Sequence, residues 1–376
     1  MNVGKRTRGV LLVLLVLFFA LAVGGCDTMN ITAELPQEIL DQMPVEMQQD
    51  PIGYLKGLLP KKEEQTKRMI LGYYENPWPN TPDEVGSLPS MRAHAEAMTG
   101  VAPYWFRVTA DGTLDTKQSQ LAYDEARAAG LAVYPLVTNK SEATDTILGS
   151  EQMRTKTIDS IMRVIDEQGF DGINLDFELV PAHHKDNLTA FVTELYGRMK
   201  EKNKTLIVSV FPKIDVDESV HGAYDYDALS KQSDYIQVMA YDRHWATSEA
   251  GAIAPIGWFE DNLRYAIEHG GGAGKVIIGL SLYGYDWGGK EEAETVTYVD
   301  AIVRAEKAGA EVFFDETDKA PYFIYDGHEV WFEDNRSMDA KMDVIAKYNP
   351  AGIALWRLGQ EQPEIWNVVT AKFPKQ

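Results

Sequence analysis

The stretch Asp171-Gly172-Ile173-Asn174-Leu175-Asp176-Phe177-Glu178 decides how this chain is read. In an extended strand successive side chains point to opposite faces. Ile173, Leu175 and Phe177 then share one face, and Asn174, Asp176 and Glu178 share the other. The three large apolar residues make a merely solvated acidic strand end a weak alternative, because that side must be buried. Two carboxylates two residues apart on one strand face repel each other. At least one is pushed towards a raised pKa, which a general acid at neutral pH needs.

Seven further apolar or β-branched runs surround this one, at 69–75, 100–108, 132–138, 206–212, 235–242, 276–284 and 352–358. Amphipathic segments lie between them. Ile158, Ile161, Met162 and Ile165 recur at helical spacing, as do Leu188, Phe191, Val192 and Leu195. Gly169 and Gly270 stand where helix C-caps are expected. Eight strands alternating with helices predict a (β/α)8 TIM barrel. An open doubly wound sheet would call for a glycine-rich nucleotide turn after the first strand, and Gly72-Tyr73-Tyr74-Glu75 is not one. In the barrel, residues 171–178 form strand four. Glu178 then lies at the C-terminal end, where barrel active sites are built. The long spacing after strand seven holds the runs 311–315, 321–325 and 329–333. It predicts a small β-rich insertion, about residues 288–336, between strand seven and helix seven, walling a groove.

The amino terminus carries Lys5, Arg6 and Arg8, then 14 unbroken apolar residues at 10–23, then Gly24, Gly25 and Cys26. Fourteen helical residues reach only ~21 Å, short of a ~30 Å hydrocarbon core. Residues 1–25 read as a secretory signal, and Val23-Gly24-Gly25-Cys26 resembles a bacterial lipobox with Cys26 as the lipidation site. An uncleaved anchor, or an ordinary signal with a chance cysteine, is the alternative. Residues 26–67, with Pro36, Pro44, Pro51 and Pro60, read as a tether. The barrel domain is expected over 68–376. The expected location is the extracytoplasmic face of a bacterial cell membrane, with the chain lipid-anchored and monomeric.

The 36 Lys and Arg against 57 Asp and Glu, a net charge of −21, argue against nucleic acid as a partner. A single cysteine excludes an intrachain disulfide framework and a cysteine-rich metal site. No cofactor or metal is expected. Adjacent His183 and His184 read as a loop pair rather than metal ligands, and the acidic patches 215–218 and 225–227 as solvated turns.

D-G-x-x-x-D-x-E at the end of strand four resembles the signature of family 18 glycoside hydrolases, the chitinase family. Met239-Ala240-Tyr241-Asp242 is similar to the family's strand-six M-x-Y-D, and Trp356 matches the strand-eight tryptophan under the reactive sugar. The family pattern has Asp where Asn174 stands and usually Trp where Phe177 stands. Its strand-three S-x-G-G is missing. That absence, with Asn174, the run Leu282-Tyr283-Gly284-Tyr285-Asp286-Trp287 and Trp356-Arg357-Leu358-Gly359, resembles the branch of spore-cortex peptidoglycan hydrolases.

The resemblance implies substrate-assisted, retaining hydrolysis in which the sugar's 2-acetamido oxygen attacks C1. Glu178 would protonate the leaving oxygen and then activate water. Asp176 would orient the acetamide, and the Tyr241 hydroxyl would bond its carbonyl. Asp242 would contact the sugar or hold the site's hydrogen bonds, and Met239 would contact the sugar. Asn174 would donate a hydrogen bond to Asp176. The substrate implied is N-acetylglucosamine-containing glycan, peptidoglycan ahead of chitin. Aromatic residues near strand ends are candidates for sugar stacking: Tyr104, Trp105, Trp245, Tyr283, Tyr285 and Trp287, with Trp331 in the insertion. For each of these, core packing is the competing reading. A non-catalytic glycan-binding lectin on the same barrel is the alternative from another class, and a scaffolding lipoprotein is a third. Both leave the surviving acids unexplained.

Overall fold

The computed structural model describes residues 68–76, 86–289 and 291–375. The expected signal, Cys26 and the expected tether lie outside the described residues. In chain order the strands are β1 (Met69–Tyr74), β2 (Gly100–Val108), β3 (Leu114–Thr116), β4 (Ala132–Val133), β5 (Leu136–Asn139), β6 (Gly172–Asp176), β7 (Thr205–Val210), β8 (Tyr235–Val238) and β9 (Val276–Ser281). There follow β10 (Gly284–Trp287), β11 (Glu294–Val296), β12 (Phe313–Asp315), β13 (Ala320–Tyr325), β14 (His328–Trp331) and β15 (Gly352–Trp356). Parallel pairing runs β1-β15-β9-β8-β7-β6-β5-β2, and β2 returns to β1, so the eight-stranded barrel is closed. This is the expected (β/α)8 fold. Among the described residues, no helix is long and apolar enough to cross a membrane.

The period of two along each strand divides the core. Outward residues such as Ile173, Leu175, Val208 and Ile278 pack under the helices. Inward residues Met69, Leu71, Tyr73, Leu136, Ile207 and Ile277 fill the barrel. The helix Glu151–Gln168 buries Ile158, Ile161, Met162 and Ile165, and Gly169 ends it at φ +68°. The helix Lys185–Glu201 buries Leu188, Phe191, Val192 and Leu195. Gly172 opens β6 because nothing larger fits. A Cβ there would lie 2.0 Å from the Thr205 carbonyl oxygen on β7. Asp171, just before it, accepts the Val133 N–H at 2.8 Å and pairs with Arg127 at 2.6 Å, fixing the strand's lower end.

Two strand expectations are corrected. The run 132–138 is not one strand. It breaks into β4 and β5 around Tyr134-Pro135, where proline has no N–H for the ladder. The neighbouring β2 answers with a register shift between Tyr104 and Phe106. Strand seven stops at Ser281, and residues from Gly284 belong to a second, antiparallel sheet of order β11-β10-β14-β13-β12. Buried Glu333, which follows that sheet, accepts from Lys341 Nζ at 2.8 and 2.9 Å and from Ser281 Oγ at 3.0 Å. This pair, each side chain 1% exposed, fastens the returning chain to the end of β9.

Candidate active site

A cavity of about 550 Å³ opens at the C-terminal ends of the barrel strands. Tyr73, Asp176, Glu178, Tyr241 and Asp242 give it a polar floor. Phe211, Val216, Val220, Met239, Trp245 and Trp356 supply apolar walls. The sequence-expected residues Asp176, Glu178, Tyr241, Asp242, Met239 and Trp356 are therefore brought together. Trp356 meets Tyr73 edge-on, with ring centroids 5.1 Å apart. Trp245, 55% exposed, stands at the rim.

The backbone beyond β6 is held tightly where it presents Glu178. The Asn139 side chain accepts the Glu178 N–H at 2.8 Å and donates to the Glu178 carbonyl at 3.0 Å. The Tyr224 hydroxyl donates to the Phe177 carbonyl at 2.7 Å. Phe177 turns outward onto Phe191, with centroids 5.3 Å apart. Leu179 then takes φ +49°, a left-handed conformation unfavourable for a bulky residue. Such strain persists only where surrounding bonds impose it. Asp242, at φ +60°, repeats the pattern after β8. Its carboxylate accepts from Tyr283 and, at 3.3 Å, from Tyr285.

Burial raises Asp176 to about 6, and the Ser209 hydroxyl and a hydrogen bond from Glu178 pull it the other way. Burial, then the Asp176 charge, then its role as donor to Asp176 raise Glu178 to about 8. Glu178 faces the open cavity, where water weakens the effect of burial, so the neighbouring Asp176 charge is the firmer cause of its upward direction. The pair is poised to share one proton, carried by Glu178 and aimed at an anionic Asp176. Burial also raises Asp242 to about 6, against the two tyrosine hydroxyls.

Other expectations change. Asn174 does not donate to Asp176 and does not reach the cavity; it is 0% exposed. Its Nδ2 donates to Ser209 Oγ at 2.8 Å, and its Oδ1 accepts from the Tyr73 hydroxyl at 2.7 Å. Asn174 thus acts on Asp176 through Ser209. Tyr283 and Tyr285 are buried and hold Asp242 rather than lining the cavity, and Tyr285 belongs to β10. The register shift in β2 sends Trp105 outward against Tyr74 and Phe170, with Nε1 donating to Asn76 Oδ1 at 2.8 Å. Tyr104 borders a separate depression of about 180 Å³. Trp331 stacks on Tyr322 within the second sheet. Trp287 packs on Tyr285.

Sequence reading passed over Tyr73, Ser209, Asp215 and Arg243. The first two stand as polar intrusions in apolar strands, a signal that was available. Asp215 lines the cavity and pairs with Arg243 at 2.7 Å, so part of the acidic patch is a cavity wall rather than a solvated turn. His183 and His184 do not point apart. A 3-10 turn, Ala182–His184, brings both rings towards Asp145, with His184 Nε2 2.9 Å from its carboxylate. Their ligand atoms lie within 4.8 Å of one another. His184 is satisfied on both sides, since Nδ1 lies 3.0 Å from Asn187 Nδ2.

This arrangement of acids at the strand ends of a closed barrel agrees with a family match. The model for glycosyl hydrolases family 18 covers residues 69–361. The chain belongs to that family. As a family 18 glycoside hydrolase it is similar to the cortical fragment-lytic enzyme of Bacillus subtilis, at 27% identity over 73% of this chain and 68% of that protein. The spore cortex-lytic enzyme SleL of Bacillus megaterium QM B1551 superposes with a TM-score of 0.75 at 27% identity, covering 81% of this chain and 74% of that one. A chitinase from Chromobacterium violaceum superposes at 0.73 with 25% identity, over 82% and 100%.

Proposed function

We propose that this glycoside hydrolase cleaves N-acetylglucosamine-containing glycan with retention, using the substrate's own acetamido group as nucleophile, and that the glycan is peptidoglycan. The observation that carries the mechanism is the Asp176–Glu178 pair. A protonated Glu178 hydrogen-bonds an acid that favours the anionic state by comparison. Glu178 gives its proton to the glycosidic oxygen as that bond breaks. The acetamido oxygen closes on C1, and Asp176 balances the positive oxazolinium from beside it. Tyr241 would hydrogen-bond the acetamide, a role supported by its position at the cavity floor. Water then attacks C1, returning its proton to Glu178 and reopening the ring with retained configuration. Relatives named as cortex-lytic favour a wall glycan over chitin. A lipid anchor on Cys26 would place the monomeric enzyme on the outer face of the membrane, beside that wall.

The test uses the full chain in detergent with purified glycan strands and chitin oligomers, reading new reducing ends by mass spectrometry. Wild type is expected to release N-acetylglucosamine reducing ends, and Glu178→Gln is expected to abolish release while still binding glycan. Equal, negligible release by both proteins from every glycan refutes the enzymatic reading and leaves the lectin. Loss of membrane retention in Cys26→Ala checks the anchor.

A further inference from the structure

The depression beside Tyr104 is not absorbed by the mechanism. We propose that it is a subsite for a carboxylate carried by the glycan, and that its occupant is the lactyl carboxylate of muramic acid. This rests on the wall-glycan reading above.

Two links connect the lining of the depression to the catalytic cavity. Lys140, in its lining, directly follows Asn139, which grips the Glu178 backbone. On the other side, Arg357 directly follows Trp356 and pairs with Glu75 at 2.8 Å, and Glu75 lies 3.5 Å from Lys117 of the depression. A glycan seated on Trp356 would have its next sugars within reach of this rim.

The two recesses are opposite in charge. Asp176, Glu178, Asp215, Asp217 and Asp242 border the cavity, against Arg243 alone. Arg107, Lys117 and Lys140 border the depression, against Asp115. Three cations converging in a chain with 57 acids and 36 bases is a local reversal that calls for an anionic guest. Lys117 is held by Glu75 at 3.5 Å, and the other two cations are available to an anion. Lys140 pairs at 2.7 Å with Asp115, whose side chain is 62% exposed, and such surface pairs exchange readily. Arg107 contacts the Tyr104 hydroxyl, and no carboxylate pairs with it among the described residues. Lys117 lies over the Tyr104 ring, 4.2 Å from its centre.

Chitin carries no anion, so it gains nothing from these residues. A glycan that alternates N-acetylglucosamine with muramic acid presents a lactyl ether on every second sugar. With the stem peptide removed, that ether ends in a carboxylate. With a stem attached, the nearest carboxylates belong to the peptide. The depression therefore supplies a chemical basis for choosing wall glycan over chitin.

The test measures dissociation constants by calorimetry on the full-chain Glu178→Gln protein in detergent. The probes are an oligosaccharide with free lactyl carboxylates, its neutral methylamide, the same glycan with stem peptides, and a chitin oligomer of equal length. The free carboxylate is expected to bind ~10-fold tighter than the methylamide, since charge-assisted hydrogen bonds are the strong ones. This preference is expected to vanish when Arg107→Gln and Lys140→Gln are combined, to return with Arg107→Lys and Lys140→Arg, and to shrink with salt. Tighter binding of the stem-bearing glycan than of the free carboxylate would move the guest to the peptide and overturn the lactyl assignment. Chitin binding without any carboxylate preference overturns the subsite alone, as does a preference that survives the glutamine pair. Failure of every glycan to bind overturns the wall-glycan reading with it.

Discussion

Ser209→Ala separates the two acids at the end of β6 by changing neither of them. Ser209 is buried, accepts the Asn174 amide at 2.8 Å, and holds Asp176 down from the value that burial alone would set. A hydrogen bond to a charged group contributes about 1.5–3 kcal/mol, and one pKa unit corresponds to about 1.4 kcal/mol. Removing the hydroxyl should therefore raise Asp176 by ~1–2 units from its starting value of about 6. In the proposed mechanism Asp176 must be anionic to balance the oxazolinium, so activity is expected to fall as pH drops through its pKa. A raised pKa moves this acid limb upward. From half-ionised near pH 6, Asp176 in the variant would be ionised to only ~1–10%, a loss of ~5–50-fold there and less than about 2-fold near pH 8. The alkaline limb is loss of the last proton that the pair holds, and a more basic Asp176 helps to retain that proton, so this limb should stay or move slightly up, never down.

The assay is kcat/KM against pH on one defined oligosaccharide, with Ser209→Thr as the variant that keeps a hydroxyl. A profile that falls by the same factor at all pH values, with both limbs unmoved, refutes the reasoning. So does an equal shift in Ser209→Thr, because the methyl group and not the missing donor would then be the cause.

Asp176→Asn should abolish turnover yet stabilise the fold at neutral pH. The folded pKa is raised above that of an unfolded aspartate, so the folded state binds the extra proton and stability is lost as pH rises from about 4 to about 6. Asparagine avoids that cost, which is on the order of 2–3 kcal/mol, and a higher Tm above about pH 6 with no gain below about pH 4 is the check. Lys341→Met leaves Glu333 buried without its ammonium partner and should cost about 3–5 kcal/mol, lowering Tm by on the order of 10 °C in calorimetry. Lys341→Met combined with Glu333→Leu should recover most of it, and a double variant as unstable as the single would contradict the ion-pair account. Gly172→Ala drives a methyl to 2.0 Å from the Thr205 oxygen and should part β6 from β7, read as loss of soluble protein or a collapsed melting transition. A normal melt would show that the β6–β7 contact can yield.

The barrel was legible because each strand carries a short-range pattern. Ile173, Leu175 and Phe177 declare one face within eight residues, and the helices repeat their apolar spacing within two turns. Boundaries were less legible where composition stayed constant across a structural change. The run 276–287 is mostly apolar and aromatic, and Ser281 and Gly284 are small enough to sit within a strand, so the passage from β9 to β10 between them is only weakly marked. Pro135 did mark the break between β4 and β5, but its missing N–H weighs little in a count of apolar residues.

Partners of the site residues depend on strands brought together by closure of the barrel, and sequence proximity misleads there. Asn174 stands two residues from Asp176 on the same face, which made a direct bond the natural expectation. Its amide instead meets Tyr73, 101 residues earlier, and Ser209, 35 residues later. An asparagine in this place contributes a fixed donor and a fixed acceptor, so the hydrogen-bond direction through Ser209 is set at every pH. An aspartate would take up and release a proton, and could reverse that direction. The buried network below Asp176 is therefore wired for one protonation pattern. Aromatic side chains escaped for a related reason: strand periodicity assigns a face only while the ladder is regular. The register shift between Tyr104 and Phe106 turned Trp105 into the core and left Tyr104 beside Arg107 and Lys117. The irregularity that defeated the sequence reading thus accompanies a cationic recess distinct from the acidic cavity, the recess that the proposed carboxylate subsite would use.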